Sequence, residues 1–272
     1  MIYFLYHKNC LDGYGSALAA YLKFKMDAEY IPVQHQEPVP HLKSESTIYL
    51  LDFCYPREVI ETMLKNHTVI VLDHHKTALE DMVGLIGLKD SVFDLQRSGA
   101  MITWQYFHQE KQIPTLFKLI QDRDIWQWRY QETAPVTAAL MTVGYEDLEK
   151  WLPYLEEEQI AKLTEMGKII LKANTQAVKS QLSMSYLGRL PGKKELIPMV
   201  NTPHLISETC QAMLTAQCYQ EYQVVAAWYV QKERVSYSLR SRPGFDCAQI
   251  ALEYGGGGHP QASGFSCLDK PE

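Results

Sequence analysis

The chain reads as an α/β protein. An N-terminal doubly wound parallel sheet is followed by a helical connector and a smaller C-terminal α/β unit. Three observations predict this. Apolar runs at residues 2–6, 47–53 and 67–72 alternate with helical patterns, the order of a parallel sheet. The runs are nearly continuous rather than alternating, as in strands covered on both faces. Finally, 272 residues with 46% hydrophobic content suffice for a large core and one or two domains.

The first run ends at His7. Residues 15–26 carry helix formers with apolar side chains three and four apart. The second run (TIYLLDF) contains Asp52. Pro56 then suits a first helical turn, and residues 57–66 read helical. The third run leads into Asp73-His74-His75. Residues 98–186 are mostly helical. A single long helix is expected over 156–183, with Ile160, Leu163, Met166, Ile170 and Leu171 on one face. Pro191 and Gly192 mark 188–194 as a linker between residues 1–187, with the connector from about 130, and residues 195–272. The second unit reads as strand 197–200, helix 206–219, strands 223–230 and 234–240, and helix 247–254, with no internal repeat.

A net charge of -6 argues against a bulk electrostatic grip on long nucleic acid, which needs a basic face. A small anion in a local basic pocket remains compatible. Six scattered cysteines without a CxxC pair read as reduced thiols of a cytoplasmic protein. Residues 1–6 are too short for a signal peptide, and no run approaches the ~18 apolar residues of a membrane span.

Ligands of doubly wound sheets bind outside the carboxyl ends of the strands. His7, Asp52 and the Asp73-His74-His75 trio all fall at such ends. Carboxylates and imidazoles are the donors of divalent cations, with Mn²⁺ accepting both. The candidates are His7, Asp12, Asp52, His74, His75 and Asp122. A carboxylate on a central strand can bridge two ions ~3.5–4 Å apart, and Asp52 is placed for this. Taken singly, an aspartate after a strand is usually a cap or turn former. The coincidence at three strand ends favours metal.

Near the C-terminus, Gly255-Gly256-Gly257-Gly258-His259-Pro260 is incompatible with a stable helix or strand. Its N–H groups are suited to cradle an anion, with His259 as a donor to phosphate. The preceding Arg240 and Arg242 end a strand; Arg242 reads as an ordinary strand end. Arg97-Ser98-Gly99, at a helix start, is a further candidate anion contact, equally readable as a cap. Trp126, Trp128, Tyr130 and Phe265 are candidate base-stacking residues, although most aromatics belong to cores.

These motifs resemble the DHH phosphoesterases. Asp73-His74-His75 matches their signature, His7-Lys8-Asn9-Cys10-Leu11-Asp12-Gly13 their first motif, Leu51-Asp52 the second and Gln121-Asp122-Arg123-Asp124-Ile125-Trp126 the fourth. The glycine run with Ala262-Ser263-Gly264 resembles the associated C-terminal domain. The resemblance implies two divalent ions, Mn²⁺ first, with Mg²⁺, Zn²⁺ or Fe²⁺ as alternatives. Asp52 would bridge them; His7 would bind one, and Asp12, His74 and Asp122 the other. Asp124 is the alternative to Asp122, which matches better on its spacing from Trp126. Asp73 would orient a histidine. His75, with Asp52, would take part in catalysis next to the attacking water or the phosphate.

The first motif departs from the family's pair of aspartates. If Asp12 is the second, the first falls at Cys10, one residue short of the usual spacing, and Asn9 or Cys10 could be recruited. A thiolate there favours Zn²⁺ or Fe²⁺. In the other alignment Asp12 is the first aspartate and Tyr14 replaces the second.

The resemblance further implies a phosphodiesterase leaving a 5′-phosphate. Arg97, Arg240, Gly256, Gly257, Gly258, His259 and Ser263 would hold the substrate. Within the family's range, the acidic chain favours a small nucleotide, a cyclic or linear dinucleotide or short oligonucleotide, over long nucleic acid. Polyphosphate, pyrophosphate or 3′-phosphoadenosine phosphate come second, and a degenerate nucleotide-binding module is the non-enzymatic alternative. No membrane partner is expected; a homodimer is the candidate assembly.

Overall fold

The computed structural model describes residues 1–35 and 37–271. In the first run, β1 (Ile2–His7), successive side chains point to opposite faces, and both are covered. Phe4 and Tyr6 enter one core with Leu18 and Ala19 of α1 (Leu11–Phe24). Tyr3 and Leu5 enter another. The same division continues through β2 (Glu29–Val33), β3 (Thr47–Leu51), α2 (Arg57–Met63), β4 (Thr68–Asp73), α3 (Lys76–Met82) and β5 (Val92–Phe93). Leu51, Ile70 and Leu72 face the first core, where α4 (Gly99–Phe107), α5 (Thr115–Asp124) and α6 (Thr133–Val143) also pack. Ile48, Leu50, Val69 and Val71 face the second, against Ile60 and Met63 of α2.

The five strands pair in parallel in the order β2-β1-β3-β4-β5. The order reverses between β1 and β3. At such a switch point the flanking connections diverge to opposite faces and leave a crevice at the carboxyl ends. His7 closes β1 and Asp52 follows β3, so the crevice lies between them. α7 (Glu157–Ser183) matches the expected long helix, but its buried stripe is Ile160, Leu163 and Gly167. Met166 is exposed because Gly167 is the residue that presses against the Pro135 carbonyl.

The chain divides into compact units Met1–Leu171 and Lys172–Glu272, a boundary within α7. The second unit holds β6 (Tyr186–Gly188), β7 (Ile197–Asn201), α8 (Ile206–Thr215), β8 (Val224–Gln231), β9 (Arg234–Ser241), α9 (Cys247–Glu253), β10 (Gly257–His259) and β11 (Ala262–Cys267). They form one mixed sheet, β10-β11-β9-β8-β7-β6, in which β7 and β8 are parallel. Of residues 188–194, expected as a linker, Gly188 closes β6 and pairs with Ile197, and the rest lie in the connection between the antiparallel strands β6 and β7. The proline and glycine there turn the chain within a sheet. The helix expected over 206–219 stops at Thr215, and a 3₁₀ turn follows.

The expectation of no regular structure in the glycine run is also corrected. Gly257–His259 pairs antiparallel with residues 262–264. A Cβ on Gly258, at φ +133°, would lie 2.6 Å from the Ala262 carbonyl oxygen. The glycine thus permits close strand pairing that another residue would block.

Candidate metal centre

Four acidic and three imidazole side chains converge at the carboxyl ends of β1, β3 and β4. Asp52 continues the ladder with one more bond, donating to the Leu72 carbonyl at 3.0 Å. It then takes φ +50°. Such strain in a non-glycine residue is costly and concentrates at functional sites. The turn leaves the carboxylate buried between the histidines. One oxygen lies 3.5 Å from His7 Nδ1, the other 3.1 Å from His74 Nε2 and 3.9 Å from His75 Nδ1.

Two donor sets result. Asp12, His74 and Asp124 offer ligand atoms within 4.8 Å of one another, as do His7, Cys10 and Asp52. His74 Nε2 stands 3.6 Å from Asp12 and 3.3 Å from Asp124. Asp12 is wholly buried and accepts from the Gly99 and Ala100 N–H groups at 2.5 and 3.0 Å, at the start of α4. The anion-binding capacity of that helix start is therefore used by Asp12. Gly99 itself lies so near that a Cβ on it would meet Asp52 Cβ at 2.6 Å.

Asp73 accepts from the His74 and His75 N–H groups at 2.8 and 3.4 Å, and its contact with His75 Nδ1 is 2.7 Å. Burial opposes the charge on Asp73, but His75 and His74 hold its carboxyl below the usual range. An ionised carboxylate is an acceptor, so His75 Nδ1 carries the proton and the tautomer is set. Burial likewise opposes ionisation of Asp52; His7, His74 and His75 outweigh it and hold that group well below the usual carboxylate range. Asp12 is pushed well up, by burial first and then by Asp124 and Asp52. Burial lowers His74, but Asp124, Asp52 and Asp12 prevail and its pKa rises well above that of a free imidazole. Burial, followed by Asp52, Asp124 and Asp12, pushes the Cys10 thiol well up.

These residues fit a divalent cation. Asp52 Oδ2 and Asp73 Oδ2 are buried without a hydrogen-bond donor, and buried carboxylates are paired or bind metal. The Asp12, His74 and Asp124 set suits Mn²⁺ or Mg²⁺; the thiol beside His7 suits a softer ion.

Asp122, the expected ligand, is corrected. It accepts from the Arg129 and Tyr130 N–H groups at 2.9 and 3.2 Å and from Thr133 Oγ1 at 2.5 Å. Those bonds consume its oxygens, while Asp124, two residues on, lies beside His74. Arg97 is corrected too: its guanidinium binds Asp94 at 2.7 Å and Gln105 at 2.5 Å within its own unit. Ser98 caps α4, accepting from the Met101 N–H. Sequence reading passed over His35, whose ring centroid lies 5.8 Å from His7 and 4.7 Å from Phe53. It follows β2, an edge strand masked in sequence by Pro32; the strand-end rule would otherwise have found it.

In the second unit, Arg240 Nη2 donates to Ser207 Oγ at 2.8 Å. Arg242 donates to the Tyr222 and Leu214 carbonyls, a structural role. Ser263 is buried and donates to the Cys247 carbonyl at 2.8 Å, so its hydroxyl secures β11 to α9 rather than facing a ligand. Phe265 is core, stacked between Tyr237 and Tyr254 at 4.7 and 4.1 Å. All six cysteines are free thiols. Among the described residues no helix is long and apolar enough to cross a membrane.

No family model matches the chain. It is 31% identical over 284 residues to the uncharacterized protein R106 of Acanthamoeba polyphaga mimivirus, across 96% of this chain and 66% of that protein. It thus spans about two thirds of the viral relative's length. Oligoribonuclease NrnB of Bacillus subtilis (strain 168) is 25% identical over 320 residues, across 99% of this chain and 74% of that one. RecJ from Thermus thermophilus, in complex with Mn²⁺, shares the fold at a TM-score of 0.51 and 17% identity, over 98% of this chain and 49% of that one. In fold and motif order, and in its similarity to NrnB, the chain thus resembles the DHH phosphoesterases.

Proposed function

We propose that the chain is a metal-dependent phosphodiesterase of small nucleotides, a linear or cyclic dinucleotide or short oligonucleotide, releasing a 5′-phosphate. The observation that carries this is Asp52, whose two oxygens face separate donor sets, His7 with Cys10 and His74 with Asp12 and Asp124. Divalent cations held there, Mn²⁺ foremost, supply Lewis-acid polarisation of the phosphoryl group and acidification of water. Asp12, fixed by the start of α4, and Asp124, at the end of α5, hold one side of the site. Asp73 keeps His75 in the tautomer whose Nε2 carries no proton and can accept one from the attacking water. Arg240, Gly256, Gly257, Gly258 and His259 are the proposed phosphate grip, Arg240 as a fork beside Ser207. The negative net charge supports a small substrate over long nucleic acid.

The test is turnover by the purified chain with Mn²⁺, Mg²⁺ or Zn²⁺. Substrates are a linear dinucleotide, two cyclic dinucleotides, 3′-phosphoadenosine phosphate and polyphosphate, with EDTA and Asp52→Ala as controls. Nucleoside 5′-phosphate appearing only with metal and intact Asp52 is the expected result. Phosphate from polyphosphate alone, or tight nucleotide binding without any product, refutes the reading.

A further inference from the structure

The residues that follow Asp124 are built unlike an ordinary loop. α5 ends in a Schellman closure: the Trp126 N–H donates to the Arg123 carbonyl at 3.0 Å and the Gln127 N–H to the Asp122 carbonyl at 2.8 Å. The first of these two donors occupies the position that needs a left-handed backbone and is usually glycine. Here it is Trp126, at φ +58°, and Trp128 repeats the conformation at φ +54°. Bulky residues in this region are genuine outliers. They persist only where the surroundings over-determine them, and those surroundings are visible. The buried Asp122 carboxylate grips the Arg129 and Tyr130 N–H groups, and its own carbonyl takes Gln127 and Trp128. The loop so strained displays its aromatics: Trp126 is 39%, Trp128 37% and Tyr130 46% exposed. The two indoles meet edge to face at 4.9 Å. Trp126 is two residues from Asp124, which stands 3.3 Å from His74, so the loop that carries the indoles leads directly out of the metal centre.

We propose that Trp126 and Trp128 form a base-stacking platform beside the metal centre, so that the chain selects a nucleotide with a base over a bare phosphate chain. This rests on the phosphodiesterase reading given above. Every nucleobase presents a π-face, and stacking on an exposed indole is tolerant of base identity. Asp122 acts as a positioning residue, clamping the loop rather than touching substrate. The alternative occupant, an apolar protein surface, would not discriminate between a nucleotide and its base-free analogue.

The test compares a linear dinucleotide with the same molecule lacking one base, using the full chain, Trp126→Gly and Trp128→Gly. Glycine removes the ring and relieves the backbone, so each variant should melt at or above the parent temperature, by up to about 4 °C. The preference in kcat/KM for the base-bearing substrate should fall about tenfold. Nucleotide quenching of tryptophan fluorescence in EDTA should be lost in the double variant. An unchanged preference, or equal loss on both substrates, overturns the platform. If the parent turns over neither substrate, the phosphodiesterase reading fails instead. Quenching in EDTA then decides the platform alone: present in the parent and lost in the double variant supports it; any other pattern refutes it.

Discussion

Replacing Asp122 and Asp124 in turn by alanine separates a structural carboxylate from a proposed metal ligand two residues away. Asp122 is 2% exposed and accepts three hydrogen bonds, from two backbone N–H groups and one hydroxyl. Bonds to a charged acceptor contribute roughly 1.5 kcal/mol each, and their donors would be left buried and unpaired. Asp122→Ala should therefore cost about 4 kcal/mol, lowering the melting temperature by about 8–16 °C. Asp124 has a 26% exposed side chain facing His74. Its replacement should cost under about 1 kcal/mol of stability, yet weaken metal binding beyond the ~10–100-fold typical of orienting partners. Thermal melts in EDTA measure the first quantity, and calorimetric titration with Mn²⁺ at a temperature where both variants are folded measures the second. Metal binding lost in Asp122→Ala at unchanged stability, with Asp124→Ala binding normally, would refute the assignment.

Three further outcomes are expected. Gly99→Ala places a methyl 2.6 Å from Asp52 Cβ and should cost about 1–3 kcal/mol while nearly abolishing activity; a fully active variant would show that Asp52 need not hold its position. Cys10→Ser should weaken Zn²⁺ more than Mn²⁺ in competition titrations, and equal weakening would remove the thiol from the donor set. The raised pKa of His74 makes its stabilising charge fully present below about 6.5 and lost as pH rises through the folded value. The metal-free protein should thus lose stability as pH rises above about 6.5, and the rise in melting temperature on adding Mn²⁺ should grow in the same direction. A metal effect that shrinks with pH contradicts this.

The parallel sheet and its polar strand ends were legible in sequence because burial on both faces leaves an unbroken apolar run, and a ligand-type residue closing such a run stands out. His7, Asp52 and His74 were found this way. The edge strand β2 was not, since an edge needs fewer hydrogen bonds and tolerates Pro32. The glycine run concealed β10, because glycine has no strand preference of its own and the pairing partner, β11, is what holds it.

Sequence by itself determined the fold class, the family resemblance and which residue types reach the strand ends, since periodicity and spacing are properties of the chain. The tertiary structure alone decided which of Asp122 and Asp124 faces His74. Two residues apart at a helix end, they differ by about half a turn, and spacing cannot say which side the closure of α5 turns inward. It also decided that Cys10 joins His7 and Asp52, and that Trp126 and Trp128 are exposed and strained. Those facts depend on three-dimensional neighbours, Asp122 above all, that sequence separation conceals.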